Sequence, residues 1–471
     1  MLFNSLNFIL FFLIFFTFYW NVKKKNRYIF ILLGSCFFYG YWSQYFLLLL
    51  LISSSLDYYL AIKLTSSKKK SLKKIGLWIS LILNFGVLIY FKYSLFFLES
   101  VYSIFKLNSS GLDKFETIVL PIGISFYTFQ IVSYSIDIYR CTIRPEKNYL
   151  KFISFVTFFP QLIAGPIERA KNLLPQINGE NKNLSFEIIY NGLKLFLWGL
   201  FLKVVIADNL AILVDAKYSN LQNESGGAIF FAIILFSFQL YCDFNGYSKM
   251  ALGLAKMLGY ELSNNFNYPF ISRSFKEFWS RWHISLSLWF RDYVYIPLGG
   301  KNNHNFKFYT VIFITFFISG LWHGASINFV LWGILCAIIF ILENLARKFI
   351  LNYIKWWKKI TLFRIFLVFG LFTLTLIPFR ANNEKDIIII VYKLLDVNFK
   401  DVYFWFADNR FQPGMIGLYL LILIEFWFGL NINNYINLKN NIVSYLFYTL
   451  LFFIIILFGN DAGSQFIYFQ F

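Results

Sequence analysis

Three histidines stand in a chain of 471 residues, and His323 lies in Ser319-Gly320-Leu321-Trp322-His323-Gly324-Ala325, inside the apolar run from Phe308 to Leu342. An ionisable side chain in such a run is expensive to desolvate, which makes it a functional candidate. Imidazole titrates near neutrality, so it can take a proton from a hydroxyl and return one to a leaving group. The other reading is a histidine hydrogen-bonded to a neighbouring helix, and Gly320 and Gly324 would serve close helix packing in the same way. His283 follows Trp279-Ser280-Arg281-Trp282, where it would either bind or orient a ligand or sit at a membrane interface. His304, in the polar stretch Asn302 to Asn305, reads as solvated.

Asp243 lies in Gln239-Leu240-Tyr241-Cys242-Asp243-Phe244-Asn245-Gly246-Tyr247, at the end of an apolar run. A buried carboxylate there would fix a histidine tautomer or pair with a basic side chain; alternatively it caps a helix over Tyr247–Leu258. Asp57, Asp137, Asp208 and Glu343 also fall in or near apolar stretches, so position alone does not single Asp243 out. Arg273, Lys276, Arg281 and Arg291 alternate with Phe275, Trp279, Trp282 and Trp289. Guanidinium forks of this kind suit the phosphates of a nucleotide-bearing donor such as coenzyme A, and they suit anionic lipid headgroups equally well. No glycine-rich phosphate loop accompanies them. Beyond Gly459-Asn460-Asp461-Ala462-Gly463 comes Phe466-Ile467-Tyr468-Phe469-Gln470-Phe471. This segment reads either as an interfacial aromatic anchor or as a means of delivering the Tyr468 phenol to a base that makes it a nucleophile. The four cysteines are scattered with no Cys-x-x-Cys spacing, which argues against a disulfide framework and a metal site alike.

These side chains need elements to hold them, and composition says which kind. Of all residues 58% are hydrophobic and 14% charged, a membrane composition. Apolar stretches near 2–20, 28–62, 75–98, 118–139, 185–206, 227–248, 307–343, 362–379, 386–395, 413–432 and 441–458 predict an all-α polytopic protein with about 10 to 12 crossings. The net charge of +19 sits in short clusters such as Lys23, Lys24, Lys25 and Arg27, which read as cytoplasmic loops rather than as a nucleic-acid footprint. The first apolar run precedes its lysines, the wrong order for a cleavable signal, and is expected to be an anchor with its N-terminus outward. Residues 28–62 make two short crossings or a re-entrant hairpin broken near Gly40 to Gln44. The run Phe158 to Ile163 is too short to span and ends in Gly165-Pro166, so its backbone must be buried in protein or line a wet cavity. Residues 264–301 read as amphipathic helices on or dipping into the cytoplasmic face. With no repeat and no separate soluble stretch, one membrane domain over 1–471 is expected.

At His323 the sequence resembles the membrane-bound O-acyltransferase family. The resemblance extends to Phe159-Pro160-Gln161-Leu162-Ile163-Ala164-Gly165-Pro166-Ile167, the Asp243 segment, Phe278 to Gly300 with Trp282-His283 and Arg291-Asp292-Tyr293, and Pro378-Phe379-Arg380-Ala381, covering roughly residues 30 to 380. Within the bacterial branch it is most similar to alginate and peptidoglycan O-acetyltransferases, and next to the D-alanyl transferase of teichoic acid export. The family's usual serine after the Asp-Phe pair is Asn245 here, a mild departure. The resemblance implies a ring of tilted helices with re-entrant and amphipathic helices around a central tunnel. It assigns His323 as catalytic, with His283 and Asp243 as supporting site residues. Phe466-x-Tyr468-x-x-Phe471 resembles the C-terminal acyl-carrier motif found with these exporters, so residues 459–471 would be a built-in carrier tail.

The implied reaction moves acetyl from cytoplasmic acetyl-coenzyme A, with no metal, through an acetyl-tyrosine at Tyr468. The acceptor is a serine acetyltransferase of the SGNH type on the periplasmic or extracellular side, which modifies a cell-envelope polysaccharide. The implied location is the bacterial cytoplasmic membrane, with both termini outside. D-alanyl transfer is the neighbouring alternative. A transporter, the alternative of another class, would show matching interrupted helices in two halves, and the sequence shows no such pairing.

Overall fold

A computed structural model describes residues 1–66, 69–105, 118–179, 183–300, 306–351, 354–430, 441–460 and 466–467. Among the described residues every regular element is helical. Among the described residues seven helices are long and apolar enough to cross a bilayer, fewer than the 10 to 12 crossings expected, and three further apolar helices are shorter. The chain falls into two compact units, residues 1–196 with 250–263 and residues 197–249 with 264–471.

The first unit contains α1 (Leu6–Asn21), α2 (Arg27–Gly40), α3 (Gln44–Ser66), α4 (Lys70–Phe105), α5 (Ile124–Tyr139), α6 (Tyr149–Thr157), the single turn α7 (Phe159–Leu162), α8 (Ala170–Asn178) and the start of α9 (Phe186–Leu200). The expected break near Gly40 to Gln44 is the short connection between α2 and α3. The expected interruption near Phe158 is also present, and its backbone is buried. Ending α6 there frees the Phe155 carbonyl, which then accepts from the side-chain amides of Gln130 and Gln161, each at 3.0 Å. The Ser35 hydroxyl accepts from Phe159 N–H at 3.1 Å. Side chains thus replace the helical ladder where water is absent. Gly123 opens α5 at φ +78°, and a Cβ on it would lie 2.6 Å from the Leu162 carbonyl oxygen, so glycine is required there. Asp57 is held by Ser80, by Asn84 at 2.6 Å and by Ser135 at 3.3 Å, a satisfied carboxylate bridging α3, α4 and α5.

The second unit continues from the end of α9 through a π-helical stretch (Phe201–Ala207) into α10 (Asp208–Tyr218), then α11 (Gly226–Met257) as far as Lys249. It goes on with α12 (Phe275–Arg281), α13 (Ile284–Phe290), α14 (Phe306–His323), α15 (Ile327–Ala346), α16 (Thr361–Arg380), α17 (Glu384–Leu395), α18 (Phe399–Asn409), α19 (Pro413–Leu430) and α20 (Asn441–Phe458). Ser274 caps α12 by accepting from Glu277 N–H at 3.0 Å, while Glu277 reaches back to Arg273 N–H at 2.9 Å; this reciprocal pairing starts the amphipathic pair α12–α13.

Two sequence expectations change here. Phe308 to Leu342 is a helical hairpin, turned at Gly324–Ser326, so His323 is the last residue of α14 rather than a mid-span position. The stretch near 386–395 becomes α17, of 12 residues, about 18 Å long and too short to cross.

Candidate active site

The polar centre of the second unit begins with a change of helical pitch. In the π-helical stretch residues five apart come into register, and this brings the Lys203 ammonium to the Asp208 carboxylate at 2.7 Å. The same ammonium reaches Asp243 at 2.8 Å, and the three side chains are almost fully buried. The approach of α11 is set by Gly246, where a Cβ would lie 2.8 Å from the Gly199 carbonyl oxygen and 3.0 Å from Lys203 N. Asp243 and Gly246 are three residues apart on one helix face, so the contact that needs glycine also delivers the carboxylate to the lysine. Asp243 lies within the continuous helix α11. The helix-capping reading therefore falls away, and the pairing with a basic side chain is what is observed.

The second Asp243 oxygen accepts from the backbone N–H of Ile467 at 2.8 Å. Phe466 and Ile467 are buried, and the Phe466 ring packs on Phe244 (5.9 Å between centroids) and Tyr247 (5.0 Å). Phe244 in turn meets the His283 ring edge-on at 4.6 Å. His283 caps α13 with φ +42°, an unusual backbone for a non-glycine residue. It is held in place by Asn265, whose carbonyl accepts from Ile284 N–H at 2.9 Å and whose side-chain oxygen accepts from the Ser285 hydroxyl at 2.6 Å. Burial pushes the His283 imidazole down to a pKa of about 3, so it is neutral at physiological pH.

His323 is buried and packs edge-on against Trp322 (4.9 Å), Trp332 (4.7 Å) and Phe379 (5.5 Å). Trp322 also meets His283 at 6.0 Å, so one indole touches both imidazoles. The helix hairpin that presents His323 is tight because Gly320 faces Gly333: a Cβ on Gly320 would lie 2.4 Å from the Phe329 carbonyl oxygen. This is the close packing the glycine spacing allowed. Asn328, at the start of α15, donates to the Ala381 carbonyl at 2.8 Å and ties the hairpin to the end of α16.

A cavity of about 350 Å³ opens beside the ion pair, with Lys203, Asp243, Gln239, Phe379 and Ile467 among its lining residues; His323 reaches it through the Phe379 ring, and neither imidazole lines it. Gln239 stands one turn before Asp243 on α11, and its buried Oε1 has no hydrogen-bond partner among the described residues. Arg380 lines the same space, paired with Asp215 at 2.7 Å and laid over the Tyr218 ring at 4.7 Å.

His323, His283 and Asp243 are therefore brought into one unit and linked through Trp322, Phe244 and the cavity wall. The four basic residues behave differently. Arg281 is paired with Glu277 at 2.8 Å and also donates to the Asn267 carbonyl; Arg291 is paired with Asp292 at 2.8 Å. Arg273 and Lys276 are exposed. Tyr468 and His304 lie outside the described residues. Lys203 is the residue that sequence reasoning missed. Its signal was a lysine inside an apolar span with an aspartate five positions on, a spacing that has meaning only in π-helical pitch.

The family model for membrane-bound O-acyltransferases matches residues 37–378. The chain is 37% identical over 392 residues to the probable alginate O-acetylase AlgI of Pseudomonas aeruginosa, covering 81% of this chain and 72% of that one. It is 33% identical over 401 residues to the peptidoglycan O-acetyltransferase of Helicobacter pylori, covering 79% and 74%. Over 280 residues it is 27% identical to the teichoic acid D-alanyltransferase of Bacillus subtilis, covering 56% and 70%. The matched span takes in both imidazoles, the Asp243 segment and the π-helical lysine, and with it the chain belongs to the membrane-bound O-acyltransferase family and is a multi-pass membrane O-acyltransferase.

Proposed function

We propose that this enzyme takes acetyl from cytoplasmic acetyl-coenzyme A, loads it on Tyr468, and offers it outside the membrane to a serine acetyltransferase that modifies a cell-envelope polysaccharide. The observation that carries the reading is Ile467, seated on Asp243 in the wall of a cavity that also contains Phe379, the ring packed on His323. Tyr468 is the next residue along the chain.

In this reaction His323 takes the phenol proton and the phenolate oxygen attacks the thioester carbonyl carbon. The O–C bond forms as the C–S bond breaks, and the proton returns with the departing thiolate as coenzyme A thiol. A phenol with a pKa of ~10 is almost wholly protonated at neutrality, so the base is needed. The product, an aryl ester, is an activated donor because phenolate leaves more readily than an alkoxide. Arg273, Lys276, Arg281 and Arg291 are assigned to the donor's phosphates; Arg273, Lys276 and Arg291 are exposed and Arg281 is half-buried. Acetyl rather than D-alanyl is supported by the higher identity to the two O-acetyl-transferring relatives. The bacterial relatives accord with a bacterial cytoplasmic membrane, and the reading puts the tail on the outer side.

The test is incubation of purified protein with acetyl-labelled coenzyme A, followed by mapping of label on the chain. Wild type is expected to carry label on Tyr468; Tyr468→Phe should carry none, and His323→Ala should load it at least ~100-fold more slowly. Label that persists on Tyr468→Phe would rule out the carrier.

A further inference from the structure

We infer that Asp243 and Lys203 form a seat for the main chain of the C-terminal segment, and that their task is to position the tail rather than to transfer protons. The inference rests on the carrier reading of Tyr468 and adds the groups that would hold that tyrosine in register.

Three observations meet at this seat. The Asp243 carboxylate is divided between two partners: one oxygen faces the Lys203 ammonium at 2.8 Å, and the other accepts the Ile467 N–H at 2.8 Å. Lys203 is itself shared with Asp208, so one ammonium serves two buried carboxylates. A charged acceptor of this kind makes a strong hydrogen bond with a backbone donor. The entry to the tail is tied to the same place, because Asn460 N–H donates to the Val204 carbonyl at 3.0 Å and Asn209 donates to the Phe458 carbonyl at 3.0 Å. Finally, the Phe466 side chain occupies a socket formed by Phe244 and Tyr247, the neighbours of Asp243 along α11.

Recognition through a backbone N–H is indifferent to side-chain identity at 467, whereas the aromatic socket selects the residue before it. Both act on the two residues that precede Tyr468 in the sequence. Since Asp243 Oδ2 is engaged by the tail and Oδ1 by the lysine, the carboxylate acts through the tail and not on the reacting atoms.

The experiment uses the full chain in detergent. Ile467→Pro deletes the single N–H, and Ile467→Ala keeps it. At saturating acetyl-coenzyme A the proline variant is expected to load Tyr468 roughly 10- to 100-fold more slowly than the alanine variant, the range for losing a hydrogen bond to a charged group. In an Asp243→Ala background the same proline change should have no further effect, because the acceptor is already gone. A merely structural Asp243 gives additive losses. Equal loading by the two Ile467 variants, or a full proline effect without Asp243, would overturn the seat.

A second measurement does not depend on acyl chemistry. Carboxypeptidase digestion should release Phe466 and Ile467 more readily from Asp243→Ala than from wild type. If that difference is found while Tyr468 takes no label, the seat stands and the carrier reading fails. If both chains are digested alike, the seat is wrong whatever the label shows.

Discussion

At the scale of single residues, the polar centre depends on a lysine with little freedom to change. Lys203 neutralises Asp208 and Asp243 in a buried setting, and removing one member of such a group leaves charge without compensation. Lys203→Met keeps most of the volume and is expected to cost ~3–5 kcal/mol of stability, read as a fall in the detergent-melting midpoint. A midpoint equal to wild type would mean that the carboxylates become neutral without penalty. His323 presents the opposite case. Trp322, Trp332 and Phe379 are among its neighbours and shape its site, and imidazole is the side chain suited to proton transfer. His323→Ala is therefore expected to damage loading far more than melting, a dissociation that a packing histidine does not give.

At the scale of elements, close backbone approach decides where the histidine sits. In Gly320→Ala the new methyl must push α15 away from α14, since the Phe329 carbonyl oxygen lies only 2.4 Å from the Cβ position. Overpacking of this kind costs ~1–3 kcal/mol, and it displaces the end of α14 that carries His323. Melting and loading should fall together, with Gly86→Ala as the control, because that glycine has open space around it. The α12–α13 connection carries a pH dependence. Burial keeps His283 neutral down to a pKa of about 3, while the unfolded chain protonates it near 6.5. Below pH 6.5 the unfolded state binds the extra proton, so stability falls as pH falls, and the dependence continues down to the folded pKa. Between pH 7 and pH 5 the histidine's contribution is ~2 kcal/mol. His283→Gln should flatten the melting curve against pH over that interval; an unchanged slope would show that the imidazole titrates alike in the folded and unfolded chain.

At the scale of the whole molecule, the exposed faces of α1, α4, α16 and α20 are crowded with leucine, isoleucine and phenylalanine, as in Ile75, Ile82, Phe363, Phe366, Leu446 and Ile456. Such surfaces suit lipid and give the chain its multi-pass character. The chemistry ends at an acyl-enzyme if the polysaccharide is modified by another protein. The purified enzyme alone, given acetyl-coenzyme A and polymer in reconstituted vesicles, is accordingly expected to hold label without passing it on. Addition of the outer serine acetyltransferase should discharge it. Transfer to polymer by the single chain would remove the need for a partner.

Much of this was legible in order along the chain. Twenty-residue apolar runs, the short run ending in Gly165-Pro166, the amphipathic stretch over 264–301, and a histidine in an apolar setting all follow from local composition and period. The cost of burying polar groups in lipid acts on each segment separately. Position along the chain did not distinguish the carboxylates, because Asp57, Asp208 and Asp243 look alike until their partners are known; only the resemblance singled out Asp243. Three serine and asparagine side chains satisfy Asp57. Asp243 is defined by a lysine brought round by π-helical pitch and by an N–H more than 200 residues away. Contacts of that range depend on how helices cross, and the crossing is set by glycines such as Gly246 and Gly320, whose roles appear only when another backbone lies against them.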